Sequence, residues 1–289
     1  MSIFFEKYNG LGNDYLVYDC NKNSEKLDDN AVKLICDRNF GLGSDGILVG
    51  PILNDNKISL TIINPDGSIA EKSGNGVRIF SKYLKDAGYV KDDEFILSTL
   101  GGNVNVKYLN KEGTLMTVDM GKLSFDKQSV GAVDVPDEMV NIPLKFNEKE
   151  YYCTCVSIGN PHCVIPMDNI SKEIVCEIGR YSEGASYFPN RINTQIVKVI
   201  DRNNIDIEIF ERGAGYTLAS GSSSSAAAGA VFKLGLVDNN IKVHMPGGQL
   251  NIEISDEFEV KMTGTVSYVG KMILGDEFIM DNKLFNNCM

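Results

Sequence analysis

Apolar and polar residues alternate along much of the chain. The runs ISLTIIN (58 to 64), NVNVKYL (103 to 109), TQIVKVI (194 to 200) and DIEIFE (206 to 211) keep a two-residue period between Gly and Asn turns, which predicts half-buried strands. A helical period starts after Asn75. There GVRIFSKYLKDAG sets Val77, Phe80, Tyr83, Leu84 and Ala87 on one face and closes on Gly88, a residue suited to a C-terminal cap. The later run SSSSAAAGAVFKLG, ending at Gly235, is small or apolar almost all round, so it predicts a buried helix.

These segments recur in one register. Gly12-Asn13 opens the apolar run LVY and Gly159-Asn160 opens HCVI, a displacement of 160 − 13 = 147. Ser73-Gly74 and Ser220-Gly221 share that displacement, as do Gly88-Tyr89-Val90 and Gly235-Leu236-Val237, while GGNVNV from 101 matches GGQLNI from 247 at 146. Four matches with a single gap imply an internal duplication. The expected fold is α+β: two pseudosymmetric lobes, each mainly antiparallel strands wrapped around a central helix that starts at Ser73 or Ser220. The lobes are drawn as residues 1–122 with 270–289, and 123–269. A pseudo-dyad between such lobes makes Ser73 and Ser220 face each other across a cleft, a preferred place for a ligand.

Composition narrows the chemistry. A net charge of −11 over 289 residues, with no dense Lys/Arg stripe, argues against nucleic acid. No run of about 18 apolar residues is present and the opening MSIFFEKYNG lacks a signal-like core, so a soluble cytoplasmic protein with no membrane partner is expected. The seven cysteines (20, 36, 153, 155, 163, 176 and 288) are odd in number and lack CxxC spacing, which suits small buried hydrophobes rather than disulfides or zinc ligands. With only His162 and His244, far apart in sequence, no metal site is expected.

Each motif has a plain reading beside a functional one. GLGSDG (41 to 46) fits the dinucleotide fingerprint formally, but the strand-like ILVGPIL follows it where a helix is required, so a turn is favoured. SGSSSS has linker composition, yet the helix-forming run behind it and the match to SGNGVRIF favour two helix N-termini whose amides can bind a carboxylate. In ERGAG (211 to 215) an exposed Glu-Arg pair is ordinarily just solvated; here Arg212 could hold a carboxylate and Glu211 an ammonium group. His162, in GNPHC, is as consistent with a hydrogen-bonded structural role as with catalysis.

Taken together, KYNGLGNDY, NPDGSIAEKSGNGVR, VSIGNPHC, PNRIN, ERGAGYTLASGSSSSAAA, HMPGGQL and MTGTVSYV resemble the diaminopimelate epimerase family over nearly the whole chain. The resemblance implies interconversion of LL- and meso-diaminopimelate, for lysine and cell-wall synthesis, by a two-base mechanism with no pyridoxal phosphate or other cofactor, in a protein that is often a homodimer. It puts the two proton carriers at Ser73 and Ser220, the reacting carboxylate at Gly74-Asn75 and Gly221-Ser222, and the distal end of the substrate at Asn13, Asn64, Asn160, Asn193 and Arg212. Glu211 falls beside the reacting ammonium, and His162 and Glu211 are the expected assistants of the proton carriers.

Two departures stand out. The family carries cysteine where this chain has Ser73 and Ser220, and usually glutamate where it has Tyr216. A thiol ionises readily at a helix N-terminus, whereas a serine hydroxyl is a far weaker acid and needs a strong neighbouring base. Three readings stay open: a natural subfamily with altered activity, serines introduced to trap substrate, and a noncatalytic amino-acid-binding relative. Retention of the distal set favours a diaminopimelate-like ligand over another amino acid such as histidine or glutamate.

Overall fold

A computed structural model of the chain describes residues 3–54, 57–71, 73–282 and 284; Cys288 and Lys72 of the EKSGNG motif lie outside them. The chain divides into two compact units, Met1–Val118 with Thr265–Met289, and Asp119–Gly264. In chain order the first part comprises β1 (Phe4–Gly10), β2 (Asn13–Tyr18), α1 (Asp29–Cys36), β3 (Ile47–Asn54), β4 (Lys57–Ile63), β5 (Ile69–Ala70), α2 (Gly74–Asp86), β6 (Glu94–Thr99), β7 (Gly102–Tyr108) and β8 (Leu115–Lys122). There follow α3 (Lys127–Val130), β9 (Ile142–Phe146), β10 (Lys149–Ser157), β11 (Pro161–Pro166), α4 (Lys172–Ser182), β12 (Asn193–Asp201), β13 (Asn204–Glu211) and β14 (Gly215–Thr217). The chain continues through α5 (Gly221–Lys233), β15 (Asn240–Met245), β16 (Gly248–Ile254), β17 (Glu259–Thr265), β18 (Ser267–Ile273) and α6 (Asp276–Asp281).

In the first unit β1 lies between β18 and β2, β3 and β4 form a hairpin, and β6 and β7 form another. Most pairs are antiparallel, but β2 runs parallel to β3 and β4 parallel to β6. The second unit repeats the scheme, with β11 parallel to β12 and β13 parallel to β15. The repeat holds at the level of single residue pairs. Leu16 opposite Ile47 recurs as Cys163 opposite Thr194, with 163 − 16 = 147 and 194 − 47 = 147. Ile63 opposite Ile69 recurs as Phe210 opposite Tyr216 at the same displacement, 210 − 63 = 147 and 216 − 69 = 147.

Each unit holds one 13-residue helix, α2 or α5, begun and ended by the same devices. Ser73 is extended and its hydroxyl accepts the Gly76 amide; Ser220 is extended and accepts the Ser223 amide. Serine is among the best residues for this position because its oxygen satisfies an amide that has no intrahelical partner. At the other end Gly88 and Gly235 take positive φ, 77° and 72°. There the Gly88 and Tyr89 amides close on Lys85 and Leu84, and the Gly235 and Leu236 amides close on Phe232 and Val231. That six-to-one and five-to-two pattern is a Schellman cap, which glycine makes without steric cost.

The α2 face of Val77, Phe80, Tyr83 and Leu84 is buried, and the helix packs on β1, β2 and β3. Helix α5 is buried from Ser223 through Val231, as its all-round small composition predicted, and packs on β10, β11, β12 and β16. The amphipathic helices α1 and α4 add to one central helix per lobe; their apolar faces bury Ala31, Val32 and Ile35, and Val175 and Ile178. GLGSDG is irregular chain leading into β3, as the turn reading expected. Cys36, Cys153, Cys155 and Cys163 are buried, Cys176 is half-buried and Cys20 is exposed, all as free thiols. Among the described residues no helix is long and apolar enough to cross a membrane.

Candidate functional site: two helix starts

In the first unit the expected residues gather at the start of α2. Gly74 and Asn75 form its first turn, and the Asn75 side chain donates to Asn13 Oδ1 at 3.1 Å. Asn13 in turn donates to Asp45 at 2.8 Å, so both ends of its amide are occupied. Asp45 belongs to GLGSDG, and Arg38 bridges it to Asp14 with two 2.6 Å contacts. Burial alone would raise the Asp14 carboxyl, but the hydrogen bonds and charges of Arg38 and Lys7 outweigh it and hold the group below its usual value. The glycine motif thus anchors Asn13, and through it Asn75.

Beneath the same turn lies Arg78, fully buried, whose guanidinium donates to Asn75 Oδ1 at 2.6 Å and to the Gly74 carbonyl at 3.3 Å. Burial lowers its pKa to about 10, so it is still charged at neutral pH. A cation set behind a helix N-terminus adds to the positive end of the helix dipole and favours an anion there. Asn64 donates to Ser68 at 2.9 Å in the turn after β4.

In the second unit a chain of contacts reaches the α5 start. Ser220 Oγ lies 3.4 Å from Ser222 Oγ, Asn160 Nδ2 donates to Ser222 Oγ at 3.4 Å, and His162 Nε2 is 3.1 Å from Asn160 Oδ1. The other ring nitrogen, Nδ1, is 3.3 Å from Gln195 Oε1, and Gln195 donates to Ser223 Oγ at 3.1 Å. His162 is completely buried, and burial drives its pKa down to about 3, with the Arg212 charge acting in the same direction and the Gln195 hydrogen bond against it. It is therefore a neutral imidazole at physiological pH. It reaches Ser220 through Asn160 and Ser222 along this chain.

The ERGAG loop is tied to GNPHC by Asn193, which donates to the Pro161 carbonyl at 2.8 Å and accepts the Arg212 amide at 3.1 Å. Arg212 itself is exposed, with its guanidinium donating to the Asn190 carbonyl at 3.1 Å. Glu211 is half-buried and accepts the Thr217 hydroxyl at 3.3 Å. Tyr216 turns its hydroxyl onto Glu208 at 2.9 Å beneath the Lys172 ammonium, and burial with that carboxylate pushes it up to about 12.

Four contributors escape sequence reasoning: Asp45, Arg78, Gln195 and Tyr15, whose hydroxyl is 3.4 Å from that of Ser73. One signal was available. Tyr15 occupies the repeat position of His162, since 162 − 15 = 147. Among the described residues no group of three or more His, Cys, Asp or Glu side chains is placed to hold a metal ion.

A diaminopimelate epimerase 2 from a Nostoc species is 46% identical over 98% of this chain and 99% of its own length. Diaminopimelate epimerases of Halothermothrix orenii and Pelotomaculum thermopropionicum are 33% and 36% identical over 95% and 92% of this chain, and 99% and 96% of theirs. Among solved structures, a hydroxyproline epimerase from Agrobacterium vitis superposes with a TM-score of 0.71 at 11% identity, covering 94% of this chain and 92% of that one. A Bacillus anthracis phenazine biosynthesis protein of the PhzF family gives 0.65 at 14%, covering 95% and 99%. At such identities these two show the fold alone. The diaminopimelate epimerase family model matches residues 5–125 and 154–269, and with relatives this similar over nearly the full length, the chain belongs to the diaminopimelate epimerase family.

Proposed function

We propose that this chain inverts the α-carbon of diaminopimelate, LL to meso, without a cofactor, with Ser73 and Ser220 as its two proton carriers. The supporting observation is the equivalence of the two helix starts. Each has a serine at the cap with a hydroxyl neighbour, followed by a small first-turn residue whose backbone can approach a ligand closely. Loss of an α-proton leaves a carbanion that delocalises into the adjacent carboxylate. Amides at a helix N-terminus stabilise that developing charge without reorganising, and Arg78 strengthens the effect at α2. Asn13, Asn64, Asn160, Asn193 and Arg212 are assigned to the distal end of the substrate, and Glu211 to the reacting ammonium. In this role the chain supplies meso-diaminopimelate for lysine and cell-wall synthesis, as a cytoplasmic homodimer.

The serine hydroxyls favour a second reading. An alcohol stores negative charge poorly, so a relative that binds the amino acid without turning it over fits the same site. Proton NMR in deuterated water, with a panel of diaminopimelate, histidine, glutamate and proline, separates the two. Loss of the diaminopimelate α-proton signal supports the epimerase; binding by calorimetry with the signal intact for every amino acid sinks it in favour of the binder. Washout of another amino acid alone reassigns the substrate.

A further inference from the structure

Tyr15 and Ser73 stand hydroxyl to hydroxyl at 3.4 Å in the first unit, 58 residues apart in sequence. The tyrosine is on β2, only 6% exposed, and its ring presses on the backbone of the glycine motif. A Cβ placed on Gly46 would lie 2.7 Å from Tyr15 Cε1 and 3.2 Å from Cδ1, a gap that no side chain fits without moving the ring. The final glycine of GLGSDG, superfluous for nucleotide binding, is what lets the ring sit there. On the other side Ser73 Oγ accepts the Gly76 amide at 3.1 Å, and a Cβ on Gly76 would meet Ser73 Cβ at 3.2 Å. The serine oxygen is thus held between an amide and a phenol.

That placement answers the difficulty posed by serine. A phenol is a stronger acid than an alcohol by several powers of ten, so of two adjacent hydroxyls the phenol holds a negative charge at lower cost, although burial works against both. Resting on the epimerase reading above, we propose that Tyr15 is the positioning residue of Ser73 and carries the charge that Ser73 cannot keep. As the α-carbon loses its proton to Ser73 Oγ, the former Ser73 hydroxyl proton passes to the Tyr15 phenolate oxygen. The C–H bond and one serine O–H bond break; a new serine O–H and the phenol O–H form. The negative charge moves from the phenolate to the substrate carbanion and its carboxylate, and no oxidant or reductant is involved. In the opposite direction the phenol supplies the proton through Ser73. The repeat supports the pairing, because Tyr15 and His162 occupy equivalent positions, each buried and each linked to the helix start of its own unit.

The test uses the full chain and LL-diaminopimelate, following formation of the meso isomer and deuterium uptake from pH 7 to above 10. Every inversion passes through Ser73 once, as acid or as base. Tyr15→Phe should lower kcat by about a hundredfold to ten-thousandfold, the range of a lost proton-transfer partner, with KM within about twofold and the alkaline change in rate abolished, a rise where Ser73 is the base and a fall where it is the acid. Tyr15→3-fluorotyrosine, whose phenol is more acidic, should move that change to lower pH. In a Ser73→Cys background the thiol stores its own charge, so adding Tyr15→Phe should change kcat by no more than about threefold. A Tyr15→Phe protein with the parental rate and pH profile overturns the relay and leaves the epimerase standing. An equal loss in the Ser73→Cys background also overturns it, by showing a packing role. A parent that inverts nothing at any pH removes the epimerase reading and the relay with it.

Discussion

Asn13 and Asn75 are joined by a 3.1 Å side-chain hydrogen bond across 62 residues of chain, and the residues at their repeat positions, Asn160 and Ser222, are joined across the same 62 residues at 3.4 Å. Each helix start is thus tied to the first Gly-Asn turn of its own unit. The tie survives replacement of one asparagine by a serine, as expected if the contact positions the first helical turn and either side chain can make it.

Restoring thiols should raise activity and lower stability together. Ser73→Cys with Ser220→Cys should increase epimerisation by orders of magnitude, and either change alone by much less, because one turnover needs an acid and a base. Both serines are helix caps, so each replacement should also cost about 1 kcal/mol. Steady-state assays and denaturant midpoints check the pair of outcomes; a double variant that binds diaminopimelate yet never exchanges its α-proton would refute the epimerase assignment.

Acid should destabilise the protein through His162. The imidazole takes up its proton near its usual 6.5 in the unfolded chain but only near 3 when folded. Between those values the unfolded state binds more protons, so the stability present above pH 7 is lost as pH falls through that window. From pH 7 to pH 5 this group should account for about 2 kcal/mol. His162→Gln should show a shallower decline than the parent over that interval in urea titrations, and parallel declines would mean the burial penalty is not felt.

Arg212→Ala should separate binding from folding. The side chain is exposed, so its removal should leave the melting temperature within about a degree. If the guanidinium holds the distal carboxylate, KM for diaminopimelate should rise about tenfold or more with kcat changed far less. Unchanged KM would assign Arg212 to the Asn190 contact alone.

Gly46→Ala should disturb the site from a distance. The new methyl would sit 2.7 Å from both Tyr15 Cε1 and the Ile63 carbonyl oxygen, and relief of such overpacking costs about 1–3 kcal/mol. The denaturant midpoint should fall without a change in slope, and the inversion rate should fall with it. A variant as stable and as fast as the parent would show that the ring can move freely.

The sequence by itself determined the duplication, the strand and helix periods, and the two capped helices. These are local properties: a two-residue or 3.6-residue spacing, a serine before a helix and a glycine after it are written in consecutive residues. It also singled out Asn13, Asn75, Asn160, His162 and Ser222, because their motifs recur or match the family. Only the tertiary structure decided what those side chains touch. The parallel β2–β3 and β11–β12 pairs join segments about 30 residues apart, and no local period distinguishes a parallel from an antiparallel neighbour. That pairing brings Gln195 to His162 and Asp45 to Asn13, and the packing of α2 on β2 brings Tyr15 to Ser73. Whether a polar side chain is solvated or joins a buried network depends on what the fold places against it, which is why GLGSDG looked like an idle turn until its aspartate and last glycine were seen holding Asn13 and Tyr15 in place.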